Sequence, residues 1–255
     1  MKALITGASS GIGKDIAFSL AKREYDLVLI ARDEQKLDKC IDEIQKEFSI
    51  NIKKMIIDVS DLENCKIIHK EVPNVDLLVN NAGFGDCGNF TKTSLEKDLK
   101  MINTNISAYH ILTKLYLTDM KKMGSGHVLN VASIAGFMSG PLMATYYATK
   151  AYVVSLSESI REELNKEKSN VKISILCPGP VKTNFTNVAN VKFNIKEANS
   201  KDIAEYAVKK LEKGKFYIIP KLSIKVAKIG AKFAPRVLVG KVSYMIQKRK
   251  FGKDK

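Results

Sequence analysis

A chain whose first strand runs straight into three closely spaced glycines and then a helix has few folds open to it. Here Thr6-Gly7-Ala8-Ser9-Ser10-Gly11-Ile12-Gly13 joins a strand-like Lys2–Thr6 to a helical pattern over Lys14–Arg23, in which Ile16, Ala17 and Leu20 share a face. A tight strand-to-helix turn needs residues without a Cβ, and a pyrophosphate must come close to the backbone. The helix N-terminus adds free N–H groups and a partial positive charge. Glycines also mark plain turns. The coincidence of strand, glycines and helix favours a nucleotide-binding βαβ unit over a turn alone. A Walker A loop is excluded, because no Gly-Lys-Ser/Thr follows.

The rest of the chain repeats this alternation. Strands are expected at Leu27–Ala31, Lys54–Ile57, Asp76–Asn80, Gly126–Val131 and Val171–Leu176, with a last one at Lys215–Ile219. Helices are expected from an Asp33 cap through Phe48, over Asp98–Lys122, over Tyr147–Lys166 and over Glu205–Glu212. Continuous apolar strands separated by helices predict one doubly wound α/β domain: a parallel sheet covered on both faces. The length of 255 residues suits a single such domain, and 45% apolar residues suffice for its core. Cys40, Cys65, Cys87 and Cys177 have no CxxC spacing, and His69, His110 and His127 have no metal-ligand spacing, so neither a metal site nor a disulfide framework is expected. No apolar run approaches a membrane span and no signal peptide is read at the N-terminus, so a cytoplasmic location is expected.

The glycine spacing, TGxxxGxG, resembles that of the classical short-chain dehydrogenase/reductase family, and further landmarks of that family follow in order. Asp58 and Val59 follow the third strand, Asn80-Asn81-Ala82-Gly83 follows the fourth, and Asn105 lies in the next helix pattern. Ser133 ends the fifth strand, Tyr146 and Lys150 form YxxxK thirteen residues on, and Pro178-Gly179 with Val181 and Thr183 follows the sixth. The resemblance implies a catalytic set of Asn105, Ser133, Tyr146 and Lys150. It implies nucleotide contacts from Gly7, Ser9, Ser10, Gly11, Ile12, Gly13, Arg32, Asp58, Val59, Asn81, Ala82, Gly83, Tyr146, Lys150, Pro178, Gly179, Val181 and Thr183. Asp58 would meet the adenine amino group, and Asn105 would anchor a water linking Lys150 to solvent. A homo-oligomer is implied as well.

The chemistry fits the residue types. Reduction of a carbonyl needs a proton donor and polarisation of the oxygen. A phenol with a pKa near 10 is poorly matched to neutral pH. An ammonium one helical turn away is expected to lower it, so Tyr146 is the expected acid/base, tuned by Lys150, with Ser133 donating to the substrate oxygen. Each residue alone has a blander reading: YxxxK is a common helical accident, and a serine at a strand end is usually a cap. Tyr147 lacks the lysine four residues on and is expected to pack or to wall the substrate. At the end of the second strand, where NAD sites carry an acid, stand Ala31 and Arg32, which favours NADP(H). Asp33 is read as a helix cap, and Ser10 stands where many NADP enzymes carry a basic residue. The alternatives are an NAD-dependent alcohol dehydrogenase and a non-catalytic NADP-sensing or nucleic-acid-binding protein.

Residues 1–220 are read as this domain, with a substrate lid at about 184–200 whose Phe185, Val188, Val191 and Phe193 suggest a hydrophobic or acyl substrate. Residues 221–255 are read as a basic amphipathic extension. Lysines at 221, 225, 228 and 232 are tracked one position on by Leu222, Val226, Ile229 and Phe233, and the helix resumes after Pro235 to about Lys250. Packing on the substrate lobe or a subunit is expected, with anionic lipid or an acidic carrier protein as alternatives. The formal charge of +15 favours anionic partners, but only five of the 42 basic residues are arginine, so no specific nucleic acid is expected.

Overall fold

A computed structural model describes residues 1–183, 185, 189, 198–220, 230 and 235–248. The strands β1 (Lys2–Thr6), β2 (Asp26–Ala31), β3 (Ile52–Ile56), β4 (Leu77–Asn80), β5 (His127–Val131), β6 (Lys172–Leu176) and, later in the chain, β9 (Tyr217–Ile218) form one parallel sheet in the order β3-β2-β1-β4-β5-β6-β9. The order reverses between β1 and β4. In open α/β sheets that switch point opens a crevice at the carboxyl ends of the strands.

Strand periodicity divides the core. Leu4 of β1 faces the side covered by α3 (Leu62–Glu71), α5 (Ala108–Met123) and α6 (Ala144–Lys166), where it joins Leu78, Val128, Tyr109, Tyr116 and Val153. Its neighbours Ala3 and Ile5 face α1 (Gly11–Ala21), α2 (Glu34–Gln45) and α7 (Ser200–Glu212), beside Ile16, Leu20, Leu37 and Ala207. Both faces are covered, which is why these strands read as continuous apolar runs. The sequence expectation of a doubly wound parallel sheet is met.

Several elements differ in detail from the sequence expectation. The third strand begins two residues earlier than read, because Ile52 and Lys53 pair with Leu27 and Val28. Helix α3 was not read. Asp61 caps it by accepting from the Glu63 N–H, and only Cys65 and Ile68 are buried along it, too weak a stripe to register. The expected single helix over 98–122 is α4 (Leu95–Ile102), a wide π-type turn over Asn103–Ser107, and α5, which Gly124 ends with φ +72°. Helix α6 begins three residues before the expected Tyr147, so Tyr146 lies on the helix proper. Asp33 caps α2 as expected, accepting from the Lys36 N–H at 3.0 Å. Two short strands, β7 (Val181–Lys182) and β8 (Ala198–Asn199), pair outside the main sheet. The bulk of the expected lid and the lysine periodicity between 221 and 232 lie outside the described residues. The last described element is α8 (Arg236–Lys248). Among the described residues, no helix is long and apolar enough to cross a membrane.

Candidate active site

The glycine loop is locked from across the switch point. The Asn81 amide donates to the carbonyls of Thr6 (3.0 Å) and Gly7 (3.1 Å), while the Thr6 hydroxyl accepts from the N–H groups of Asn81 and Ala82 at 3.0 Å. This closeness explains two of the glycines. A Cβ on Gly13 would stand 2.3 Å from the Asn81 amide nitrogen and 2.4 Å from the Gly7 carbonyl. One on Gly7, whose φ is +67°, would stand 2.8 Å from the Ala82 Cα. On the outer side of the loop the Thr183 side chain comes to about 3.1 Å from where a Gly11 Cβ would be. Ser10 makes no side-chain cap to α1, and no acid stands in its first turn. Ser9 and Ile12 are half-buried, and Ser10 is exposed. A backbone cradle without Cβ atoms, at an uncapped helix N-terminus with no carboxylate, fits a dinucleotide pyrophosphate.

The adenosine end is marked at the tips of β2 and β3. Arg32 is 58% exposed, and its guanidinium has one long contact, 3.5 Å from the Asp58 carboxylate. Asp58 also meets the Lys100 ammonium at 3.1 Å and accepts from the Ser60 N–H at 2.9 Å. Partial burial opposes its ionisation, but the Ser60 bonds, Lys100 and Arg32 outweigh it and hold the carboxyl at about 2. Val59 is buried beneath. Lys100, on α4, completes this charged group. It lies in a helix that carried no motif, and the sequence offered no signal for it.

Tyr146 and Lys150 share a face of α6 beside the end of β5. The Lys150 ammonium, 4% exposed, donates to the Val131 carbonyl at 2.8 Å. It lies 5.3 Å from the Tyr109 ring centroid and 5.9 Å from that of Tyr146. The Tyr109 hydroxyl donates to the same carbonyl at 3.1 Å, so a buried tyrosine four residues past Asn105 seats the ammonium. Tyr109 was missed in the sequence, where it reads only as a core position of a helix. Burial brings Lys150 down to about 8, with Cys177 partly opposing. Burial likewise raises the Tyr146 phenol, against the Ser133 hydroxyl, which favours the phenolate. The expected lowering of the Tyr146 pKa by Lys150 is therefore not delivered by the chain's own residues. The ammonium donates to Val131, and desolvation of the buried phenol dominates.

Ser133 accepts from the Ala135 N–H at 3.2 Å, and the neighbouring Ile134 N–H donates to the Pro178 carbonyl at 3.0 Å, which joins the β5 and β6 loops. Gly179 is half-buried beyond it, and Val181 enters β7. Asn105 is fully buried in the wide turn. Its carbonyl oxygen accepts from the Phe84 N–H (3.1 Å), and its amide donates to the Phe84 carbonyl (2.9 Å) and the Thr149 hydroxyl (3.1 Å). The side chain is thus a strut between the loop that follows β4 and α6. Gly83 fits between Asn105 and Lys150, where a Cβ would lie 3.0 and 3.5 Å from their polar atoms.

On the open side of Tyr146 lie Phe185, with ring centroids 5.2 Å apart, and Tyr147, at 6.1 Å, next to Met143, Ala189 and Cys87. Tyr147 accepts from the Gln247 amide of α8 at 2.5 Å. Gln247 is 1% exposed, and among the described residues its carbonyl oxygen has no partner. This contact from a residue a hundred positions away had no sequence signal. The three histidines have ordinary partners: His69 with Asp119, His110 with Tyr152, and His127 with Ser174. Among the described residues no group of side chains could hold a metal ion.

This arrangement is a dinucleotide cradle ending at a buried serine–tyrosine–lysine cluster, and residues 1–192 match the family model described as short chain dehydrogenase. The chain belongs to the short-chain dehydrogenase family. It is an oxidoreductase that acts on alcohols and carbonyls with NAD(P). It is 31% identical over 217 residues to an NADP-dependent 3-hydroxy acid dehydrogenase of Schizosaccharomyces pombe, an overlap of 79% of this chain and 83% of that one. Among solved structures it resembles a short-chain dehydrogenase from Sphingobium yanoikuyae in complex with NADPH, with TM-score 0.80, 28% identity and coverage of 92% and 96%. It also resembles a Burkholderia phymatum family member in complex with NAD, with TM-score 0.81, 25% identity and coverage of 89% and 91%.

Proposed function

We propose that this member of the family interconverts a hydrophobic ketone and its secondary alcohol with NADP(H), using Tyr146 as the acid/base. The observation that carries the assignment is the convergence of Tyr146, Ser133 and the Lys150 ammonium at the end of β5, against the loop that holds the glycine cradle. When bound, the nicotinamide supplies hydride to the carbonyl carbon or takes it from the alcohol. Ser133 and Tyr146 donate hydrogen bonds to the carbonyl oxygen, and the Tyr146 proton passes to it in reduction and returns in oxidation. A buried phenol with a raised pKa is fully protonated at neutral pH, the form reduction needs. Lys150, held by Val131 and Tyr109, keeps a positive charge beside the cluster and is the residue that would hold the nicotinamide ribose. Asn105 fixes the Gly83 loop against α6.

The pyrophosphate is assigned to the Gly7, Ser9, Ser10, Gly11, Ile12 and Gly13 loop, with Thr183 facing it. Asp58, Val59, Asn81, Ala82 and Gly83 flank the adenosine and nicotinamide halves, and Pro178, Gly179 and Val181 close the far side. NADP(H) is favoured because Ala31 places no acid at the ribose, and Arg32, exposed and loosely held, is open to a 2′-phosphate. The NADP-dependent yeast relative and the NADPH-bound neighbour support this, and the NAD-bound neighbour keeps the NAD reading in play. The aromatic and sulfur-bearing wall around Tyr146 supports a hydrophobic substrate. The catalytic domain is taken as 1–220 and the extension as 221–255. A panel of ketones, 3-oxoacyl thioesters and quinones, followed by NADPH and NADH consumption, tests the reading. Turnover of a hydrophobic ketone with NADPH supports it, and turnover of none of them, or only with NADH, refutes it.

A further inference from the structure

Helix α8 has its faces reversed. Its inward edge is small and polar: Gly240 packs against the Ser139 side chain, and Ser243 and Gln247 are 6% and 1% exposed. The Gln247 amide holds the Tyr147 hydroxyl. Six of its seven large apolar residues point the other way, and the seventh, Val239, is half-buried. Val237, Leu238, Val242, Tyr244, Met245 and Ile246 are 72%, 53%, 41%, 42%, 55% and 45% exposed. A surface helix in water turns its apolar stripe to the core. A contiguous apolar surface turned outwards marks an interaction site.

The charge of the sequence that carries this helix is equally one-sided. Residues 213–253 hold twelve of the 42 lysines and arginines and none of the 27 acids, which leaves 30 basic against 27 acidic residues elsewhere. Most of the +15 therefore belongs to the stretch that carries α8. Lys241 and Lys248 are exposed on the helix itself.

We propose that α8 lies on an anionic lipid surface, its outer apolar side chains sunk among the headgroups and its own exposed Lys241 and Lys248 reaching lipid phosphates. Thirteen residues span only about 20 Å, short of the ~30 Å hydrocarbon core, so the helix rests in the interface and does not cross. A second copy is a poor occupant. It would bring an identical helix, with its exposed Lys241 and Lys248, against the first, and neither helix carries a carboxylate to pair with them. Nucleic acid would satisfy the lysines but would leave the six apolar side chains in water. Because the opposite edge of α8 holds Tyr147, lipid contact brings the wall next to Tyr146 to the membrane surface, where a lipid-dissolved ketone would enter. That consequence rests on the proposed function, whereas the lipid contact itself does not.

The test is sedimentation of the full chain with vesicles of phosphatidylcholine alone and of equal parts phosphatidylcholine and phosphatidylglycerol, at low and high salt. The wild type is expected to bind the anionic vesicles at least roughly tenfold more tightly, and salt should weaken but not abolish this. Leu238→Glu/Met245→Glu, at exposed positions away from the cofactor, is expected to lose that binding while NADPH affinity stays unchanged. Lys241→Glu/Lys248→Glu should weaken binding with the apolar face intact. Equal binding to both vesicles, no binding to either, or full binding by the Leu238/Met245 variant would overturn the proposal. So would a lipid-free oligomer that this variant dissociates, since a second copy would then cover the face. An acidic protein captured in place of lipid, with vesicle binding absent, would overturn it too. NADPH affinity and ketone turnover read the proposed function separately.

Discussion

Lys150 is an ammonium in the protein interior, and its pH behaviour follows from that. Its pKa is about 8 in the folded chain against 10.5 for a free lysine, with burial as the main cause. Below the folded value, both folded and unfolded chains carry the charge, and the folded one bears the full desolvation penalty. Between about 8 and 10.5 the unfolded chain binds more protons, so this group's contribution to stability rises with pH. Two and a half pKa units correspond to roughly 3 kcal/mol at neutral pH, of which about 2 kcal/mol is relieved by about pH 9.5. Lys150→Met removes the charge and also leaves the Val131 carbonyl with the Tyr109 hydroxyl as its one remaining donor from this pair, a loss of about 1–3 kcal/mol that does not depend on pH. The net effect at one pH is therefore small, and the difference between two is the informative quantity. Urea unfolding of cofactor-free wild type and Lys150→Met at about pH 7 and about pH 9.5 should show the wild type gaining about 2 kcal/mol relative to the variant at the higher pH. Other titrating groups are common to both chains and cancel. A constant difference, or a wild type that loses ground as pH rises, would refute the buried-ammonium account.

Three further outcomes are expected. Arg32→Ala should weaken NADPH binding tenfold or more, from about 1.5–3 kcal/mol for a charged hydrogen bond, and leave NADH nearly unchanged; titration with both nucleotides checks this, and equal losses would remove Arg32 from the phosphate. Gly13→Ala should lower the melting temperature and abolish cofactor binding, since its Cβ would stand 2.4 Å from the Gly7 carbonyl and overpacking costs about 1–3 kcal/mol. Tyr147→Phe should retain turnover but destabilise the docking of α8 by about 1–3 kcal/mol, because the buried Gln247 amide loses its acceptor; protease sensitivity beyond Pro235, alongside KM and kcat, reads it.

The parts of the fold that showed in the sequence are those whose signal is local. The glycine loop, the Asp33 cap and the apolar strands each combine residue type with short-range spacing, so their elements were placed within a few residues. Helix α3 escaped because only two of its side chains are buried. The wide turn at Asn103–Ser107 escaped because it runs from α4 into α5 with helical backbone angles at both ends and holds no glycine or proline to mark it. The candidate site divides the same way. Ser133, Tyr146 and Lys150 carry motif spacing, whereas Tyr109, Lys100 and Gln247 reach the site only through the packing of separate helices. The direction of the Tyr146 shift was misread for a related reason: spacing places the lysine one turn away, but burial, which spacing does not report, sets the sign.

The proton donor is the centre of the account, and Tyr146→Phe tests it most directly. The ring that packs on Phe185 is kept, and the hydroxyl beside Ser133 is removed. With any ketone that the wild type reduces, single-turnover NADPH oxidation by the variant should slow by at least ~10²–10⁴, the usual contribution of general acid catalysis, while NADPH affinity and melting temperature stay close to wild type. Near-normal single-turnover rates in Tyr146→Phe, with Tyr147→Phe inactive, would move the acid to the neighbouring tyrosine; near-normal rates in both would contradict the tyrosine mechanism altogether.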